Sequence, residues 1–524
     1  MPHHPLEFNA LYYIGVMDAI GLLCYNSIVS NRERSGDMSF CVIAVSLAAL
    51  AIIVLIAVIA ARTAVFKSRQ TAVPEKISYP VDIDAAAARL SQAIAYRTVS
   101  GHERSQFDFG QFTAFHSFLE KSFPRAHAAL EKQLINSYGL LYIWKGANPD
   151  LKPILLMAHQ DVVPASEEGW EHPPFSGQIA DGRIWGRGTL DDKGSLMGML
   201  EAVEYLAGDG FKPSRSVYLA FGFDEEVGGK EGAGKIAEHL RAQGLKFEYI
   251  IDEGMATTQG VAPGIPGWVA LIGIAEKGFL SLELSTQAEG GHAAQPPRQT
   301  TVGILAAAIA RLQAKPFPAR FTGPATALFE YLGPEMPFPA RMIFANMWLF
   351  GGLVKGQLAA RPVTDASIRT TTAPTQFRGS DQDNILPMQA TAVINFRILQ
   401  GETIESVIER VTKIIADPRV KIRPLAGNLF QPSPTSPTSG WSFDMLTGAI
   451  RDILPDAIVA PTLVLGRTDC CYFVDLSPCC YRFVPERVRS AELASLHGIN
   501  ERLSVSSYGE IINFYIRLMT ASCS

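Results

Sequence analysis

The sequence predicts an α/β protein: a mostly parallel sheet with flanking helices, interrupted by an α+β insertion and preceded by a membrane-crossing helix. Three observations predict it. Short, almost wholly apolar runs at 153–158 (PILLMA), 216–223 (SVYLAFGF) and 247–251 (FEYII) alternate with helical patterns, as strands buried on both faces do. Between 277 and 426 the order becomes strand, helix, strand, strand, helix, strand (278–286, 301–312, 366–377, 390–399, 405–416 and 420–425), which is the split βαβ arrangement. Residues 38–61 carry no charge over more than the ~20 residues that cross a bilayer as a helix.

Each element follows from its local pattern. The run 38–61 reads as one membrane span, because it is longer than the apolar core of a cleaved signal peptide, the alternative, and no basic stretch of that kind precedes it. Residues 10–30 are also apolar, but Asp18 and Asn26 interrupt them and leave at most a weak second span. The flanking charges, Arg32 and Arg34 against Arg62, Lys67 and Arg69, nearly balance, so the positive-inside bias is small. The catalytic domain is expected on the extracytoplasmic side. The chain then divides into an N-terminal segment (1–37), the span (38–61), a polar linker (62–81), a first α/β part (82–276), the insertion (277–426) and a second α/β part (427–524). Within the insertion, 317–362 is rich in Phe, Pro, Met and Trp. It reads either as a hydrophobic elaboration packed on the domain or as an apolar wall for an acyl chain or a membrane.

Composition narrows the function classes. The 524 residues suffice for two or three domains, and 48% apolar with 19% charged residues supports ordinary cores. A net charge of −5 offers no basic field, so no nucleic-acid partner is expected. Of the seven cysteines, the pairs Cys470-Cys471 and Cys479-Cys480 flank YFVDLSP; they lack the Cys-X2-Cys spacing of a zinc site and read as buried thiols.

The chemistry-bearing residues stand at the carboxyl ends of the apolar strands, where open α/β sheets place their sites. His159 and Asp161 end the first strand, with Asp161 as the carboxylate that would orient the imidazole of a metal-bound His159. Asp191 and Asp192 lie in a glycine-rich turn entering a helix, where either could simply cap it. The three acids Asp224, Glu225 and Glu226 follow the second strand; adjacent carboxylates repel, so such a run is costly unless cations neutralise it. One of them can ligate while its neighbour acts as general base. With Asp252 after the third strand and His497 near the end, the chain holds the parts of a two-zinc hydrolase of amide bonds.

The motifs LLMAHQDVVP, GRGTLDDKG, DEEVGG, IIDEGM, EGGHAAQPP, VINFRI and LHGINE together resemble the zinc amidohydrolase and carboxypeptidase family of aminoacylase, carnosinase and glutamate carboxypeptidase. Within it the chain is most similar to the branch of carboxypeptidase S and the N-fatty-acyl amino acid synthase/hydrolases. The resemblance covers residues from about 82 onward. It implies two zinc ions per chain, one on His159 and Asp252, the other on Glu226 and His497, bridged by Asp191, with Glu225 as the base and Glu253 as the alternative to Asp252. It implies that His292 reaches the scissile carbonyl, sometimes from the other subunit of a homodimer, and that Asn384 and Arg397 bind the substrate's carbonyl and carboxylate. The insertion would then be a ferredoxin-like lid or dimerisation domain. In one departure from the family pattern, Cys471 stands where many relatives carry an arginine. The implied activity is hydrolysis of N-acyl amino acids, with a membrane-anchored, peptide-cleaving carboxypeptidase or a catalytically silent receptor as alternatives.

Overall fold

The computed structural model describes residues 35–524 except 72–74, 102, 261, 263, 426, 428, 490 and 491. The apolar stretch 10–30 lies outside the described residues. The apolar run 38–61 forms part of one continuous helix, Ser35–Val65, whose segment Val42–Val65 is long and apolar enough to cross a membrane.

The main sheet has ten strands. Its centre orders Val217–Gly222, Ile154–His159 and Ile250–Asp252 side by side and parallel, so that all three end on one edge. Every residue of Ile154–His159 is buried, which explains its unbroken apolar run: helices cover both faces and leave no solvent side to alternate with. The expectation of a mostly parallel sheet needs correction, because the sheet is mixed. Glu131–Ile135 and Gly139–Trp144 pair antiparallel, and Gly139–Trp144 is antiparallel to Val217–Gly222. The first of these pairs closes through a three-residue turn, a connection open to antiparallel strands, whereas parallel ones need a long crossover. On one face Lys193–Gly208 packs against the C-terminal helix Val505–Cys523 so closely that a Cβ on Gly198 would lie 2.6 Å from Ile511.

A second, four-stranded antiparallel sheet orders Thr371–Arg378, Gln389–Ile398, Gly278–Gln287 and Lys421–Pro424. Helices Thr301–Ala314 and Ile404–Ile415 bury its alternate residues, among them Leu280, Leu282, Ile394 and Phe396, in a core of its own. Arg397 falls on the opposite face, beside Phe279. The apolar stretch 317–362 folds into helices Gly323–Leu332, Phe338–Ala345 and Met347–Ala359. Although it lies inside the insertion in sequence, Ala327, Tyr331 and Leu332 join the core of the main sheet rather than that of the second.

Candidate metal centre

The three parallel strand ends gather the predicted ligands. Buried His159 turns Nε2 to Asp191 Oδ1 at 2.8 Å, and His497 Nε2 lies 2.9 Å from Asp191 Oδ2 and 3.2 Å from Glu226 Oε2. His159, Asp191 and Glu226 offer ligand atoms all within 4.8 Å of one another. One carboxylate thus presents each of its oxygens to a different imidazole, the disposition of a bridging ligand.

Two residues that the sequence reading left without a role hold this arrangement together. Arg187 and Glu501 form a buried ion pair between chain segments over 300 residues apart. Glu501 Oε1 also accepts from the N–H groups of Gly188 and Leu190, each at 2.9 Å, and Arg187 Nη2 donates to Gly498 O at 2.7 Å. The pair therefore stitches the Asp191 turn to the His497 turn. His497 itself sits at φ +57°, a left-handed conformation that costs a non-glycine residue free energy and persists only where surrounding contacts enforce it. Both residues stand inside motifs visible in the sequence, GRGTLDD and LHGINE, but nothing local shows that they meet.

Asp161 acts through different atoms from those expected. Its carboxylate caps the turn after the second strand, accepting from the N–H groups of Glu225 and Glu226 at 3.1 Å each. Its main-chain carbonyl, rather than its carboxylate, takes the closer contact from His159 Nδ1, at 2.9 Å against 3.4 Å. With Nδ1 donating its proton to that oxygen, Nε2 is the ring nitrogen free to ligate. Asp192 stands at the helix N-cap without a capping bond; its Oδ2 accepts from His159 N–H at 3.3 Å.

The third strand end separates Asp252 from Glu253. Both oxygens of Asp252 are taken by backbone, Oδ1 by the N–H of Glu253 at 3.0 Å and Oδ2 by that of Cys470 at 2.7 Å. Asp252 thereby fastens the loop 468–471, which the buried Arg482–Glu276 pair also holds through Glu276 Oε1 and Thr468. The Glu253 carboxylate makes no hydrogen bond among the described residues. Burial raises its pKa well above the usual range, and the charges of Asp191, Asp252 and Glu225 add to the effect. Burial raises Glu225 in the same way, with His159 opposing and Glu226 and Asp191 reinforcing it.

The residues expected from the insertion are placed differently. His292 and Asn384 are exposed and adjoin each other where Gly291–His292 pairs with Ile385–Leu386; Ala293 N–H donates to Asn384 O at 2.9 Å. Among the described residues no hydrogen bond or ion pair joins either side chain to the acid cluster. Arg397 is partly buried, its guanidinium 4.6 Å from the Phe279 ring centroid, with no carboxylate within ion-pair distance among the described residues. Arg467, to which the sequence assigned no role, stacks 4.4 Å from the Phe430 ring centroid, donates to Gly228 O at 3.0 Å and has Cys471 Sγ at 3.6 Å. A guanidinium thus reaches the turn carrying Glu225 and Glu226 although position 471 holds a thiol. All four cysteines of the two adjacent pairs are free thiols; Cys470 and Cys480 are buried as expected, whereas Cys471 and Cys479 are only partly buried.

Residues 155–521 match the model of peptidase family M20/M25/M40. The chain is 42% identical over 438 residues to probable carboxypeptidase S-like 2 of Dictyostelium discoideum, covering 83% of this chain and 84% of that one. It is 40% identical over 437 residues to the N-fatty-acyl-amino acid synthase/hydrolase PM20D1 of Xenopus tropicalis, covering 83% and 85%. Among solved structures, the M20 family metallo-carboxypeptidase Sso-CP2 from Sulfolobus solfataricus superposes with a TM-score of 0.60 at 17% identity, covering 83% of this chain and 99% of that one. The chain therefore belongs to peptidase family M20/M25/M40, a family of metal-dependent hydrolases.

Proposed function

We propose that this protein is a membrane-anchored dinuclear zinc hydrolase that cleaves, and in reverse forms, the amide bond of N-acyl amino acids, long fatty acyl groups included. Asp191, with one oxygen toward each of two imidazoles, carries the metal reading. The similarity to an N-fatty-acyl-amino acid synthase/hydrolase supports the substrate class. The donor set fits two divalent cations. Asp191, Glu225, Glu226 and Glu253 crowd together with no lysine or arginine in ion-pair distance among the described residues, and Glu226 Oε1 is buried without a hydrogen-bond partner. Buried anions in that state call for cations.

His159 and Glu253 would hold one zinc ion, Glu226 and His497 the other, with Asp191 between them. Glu253 takes the place first expected of Asp252 because both Asp252 oxygens already serve backbone donors. When bound, the two ions supply Lewis-acid polarisation of the amide carbonyl and acidify water. Glu225 takes the proton of the attacking water and returns it to the leaving amine; its backbone is fixed by Asp161 and its carboxylate is free of hydrogen bonds among the described residues. His292 and Asn384 meet the developing oxyanion. Being exposed on the two-stranded ribbon of the insertion, they reach the cluster by closure of the insertion as a lid or from a second copy in a homodimer. Arg397 receives the substrate's carboxylate.

A peptide-cleaving carboxypeptidase is the second reading, favoured by the similarity to carboxypeptidase S-like 2, since both reactions need one metal pair and one carboxylate anchor. The completeness of the ligand set weighs against a silent receptor. The test is a panel of N-acyl amino acids against dipeptides, with and without chelator. Each buried methylene contributes about 0.8 kcal/mol, so catalytic efficiency should climb with acyl length and acetyl substrates should be poor. Equal rates on acetyl and oleoyl amino acids, or dipeptides faster than both, would transfer the assignment to the carboxypeptidase.

A further inference from the structure

Helix Ser35–Val65 is gripped at its end by the apolar helices Phe338–Ala345 and Met347–Ala359. Asn346, at their junction, is buried, and its Nδ2 lies 3.3 Å from Ile59 O and 3.2 Å from Thr63 Oγ1. Arg62 Nε donates to Ala345 O at 3.3 Å, and Arg341 Nη2 to Phe66 O at 2.7 Å. These contacts fix the two helices level with residues 59–66. The 24 residues of Val42–Val65 rise about 36 Å at ~1.5 Å each, more than a hydrocarbon core of ~30 Å. Its last turn therefore reaches the headgroup zone.

The outward side of the two helices is apolar and uncharged. Phe338 is 69% exposed and Trp348 57%, and Leu349 and Leu353, one turn apart, are exposed beside them. Lys355, the one charge on Met347–Ala359, folds back to 5.6 Å from the Phe321 ring centroid. Arg341, the one charge on Phe338–Ala345, is spent on Phe66 O. Large apolar side chains exposed together on two consecutive short helices suit an interaction surface, and tryptophan favours the membrane–water interface.

We infer that Phe338–Ala345 and Met347–Ala359 form a second membrane contact, lying in the interface of the bilayer that Val42–Val65 crosses, with Phe338, Trp348, Leu349 and Leu353 among the headgroups and upper acyl chains. The inference rests on the proposed reading of Val42–Val65 as a span. Continuity with that helix selects a bilayer over a second copy of the chain. Because Gly323–Leu332 packs on Ala457–Val464, the contact ties the catalytic sheet to the membrane surface, where acyl chains dissolved in lipid are concentrated.

The full chain reconstituted in phosphatidylcholine vesicles with bromine at a shallow acyl position tests this by tryptophan fluorescence. Wild type should show a quenched component that Trp348→Phe loses. The double variant Phe338→Glu/Leu353→Glu should lose activity on long-chain N-acyl amino acids held in the vesicles and keep its activity on soluble acetyl substrates. Alkaline carbonate extraction of the same vesicles reports on the span separately. A chain released by carbonate refutes the span and the inference with it. A chain retained by carbonate, but quenched equally in wild type and Trp348→Phe, overturns the inference alone. Self-association in detergent that the double variant abolishes, without lipid quenching, also overturns it, in favour of a second copy.

Discussion

The main sheet and the insertion each carry half of the proposed site, and they carry it in different states. On the main sheet the candidate ligand side chains already touch: two parallel strand ends and two turns bring His159, Asp191, Glu226 and His497 together. On the separate two-stranded ribbon of Gly291–His292 and Ile385–Leu386, within the insertion, His292 and Asn384 adjoin but are exposed, unconnected to the first half among the described residues. On the proposed reading, the difference teaches that metal binding and carbonyl recognition are separable. The candidate ligands are preassembled by the strand ends and turns around the main sheet, whereas the proposed carbonyl-binding pair would need a change in the relation between the insertion and that sheet or between copies.

Glu225→Gln should have the largest effect, lowering turnover by about 10²–10⁴-fold, the usual weight of a general base, while zinc content by elemental analysis stays unchanged. Zinc loss in that variant would make Glu225 a ligand and merge the two functions that the comparison separates. His292→Ala should lower kcat by roughly 10²–10³-fold, as loss of an oxyanion donor does, again at full zinc content. Mixing the Glu225→Gln and His292→Ala proteins sharpens the comparison further. Recovery of activity in the mixture places His292 in a partner's site, and no recovery leaves lid closure within one chain.

Changes confined to the preassembled half should read out as metal affinity. Glu253→Gln should weaken zinc binding more than Asp252→Asn, measured by competition with a chromogenic chelator; the reverse order would restore Asp252 as the ligand. Glu501→Gln should reduce zinc affinity by about 10–100-fold, because it acts on the ligands through their positions. It should also destabilise the fold by about 3–5 kcal/mol through the uncompensated Arg187 charge, measurable by denaturant unfolding. The smallest effect is expected from Arg397→Lys, a roughly tenfold higher KM at similar kcat, since a lysine cannot reproduce a bidentate hold on a carboxylate. A fall in kcat with KM unchanged would exclude Arg397 from carboxylate binding.

The site was largely legible wherever its logic is local. An apolar run ending in a polar cluster marks both strand and candidate ligand, which is why the clustering of His159 with Glu226 could be expected from their neighbours, and the alternation in 278–286 and 390–399 located the second sheet. The different surroundings of Asp252 and Glu253 were not legible, because consecutive residues at a strand end point to opposite sides and one of the backbone donors that meet Asp252, the N–H of Cys470, comes from a distant loop. Asp161 was read in the right place, but which of its oxygens meets His159 depends on the turn at Glu225 that its carboxylate caps.

The sequence by itself determined the α/β class, the apolar N-terminal helix and the family, because burial periodicity and motif chemistry are written in neighbouring residues. Tertiary structure alone decided the mixed order of the sheet, the Arg187–Glu501 stitch, the guanidinium of Arg467 beside Cys471, and the seating of Phe338–Ala345 on the end of Ser35–Val65. The physical reason is the same for all four. Each is a contact between segments far apart in the chain, whose free energy exists only after other elements have packed and whose partners leave no mark on each other's local sequence.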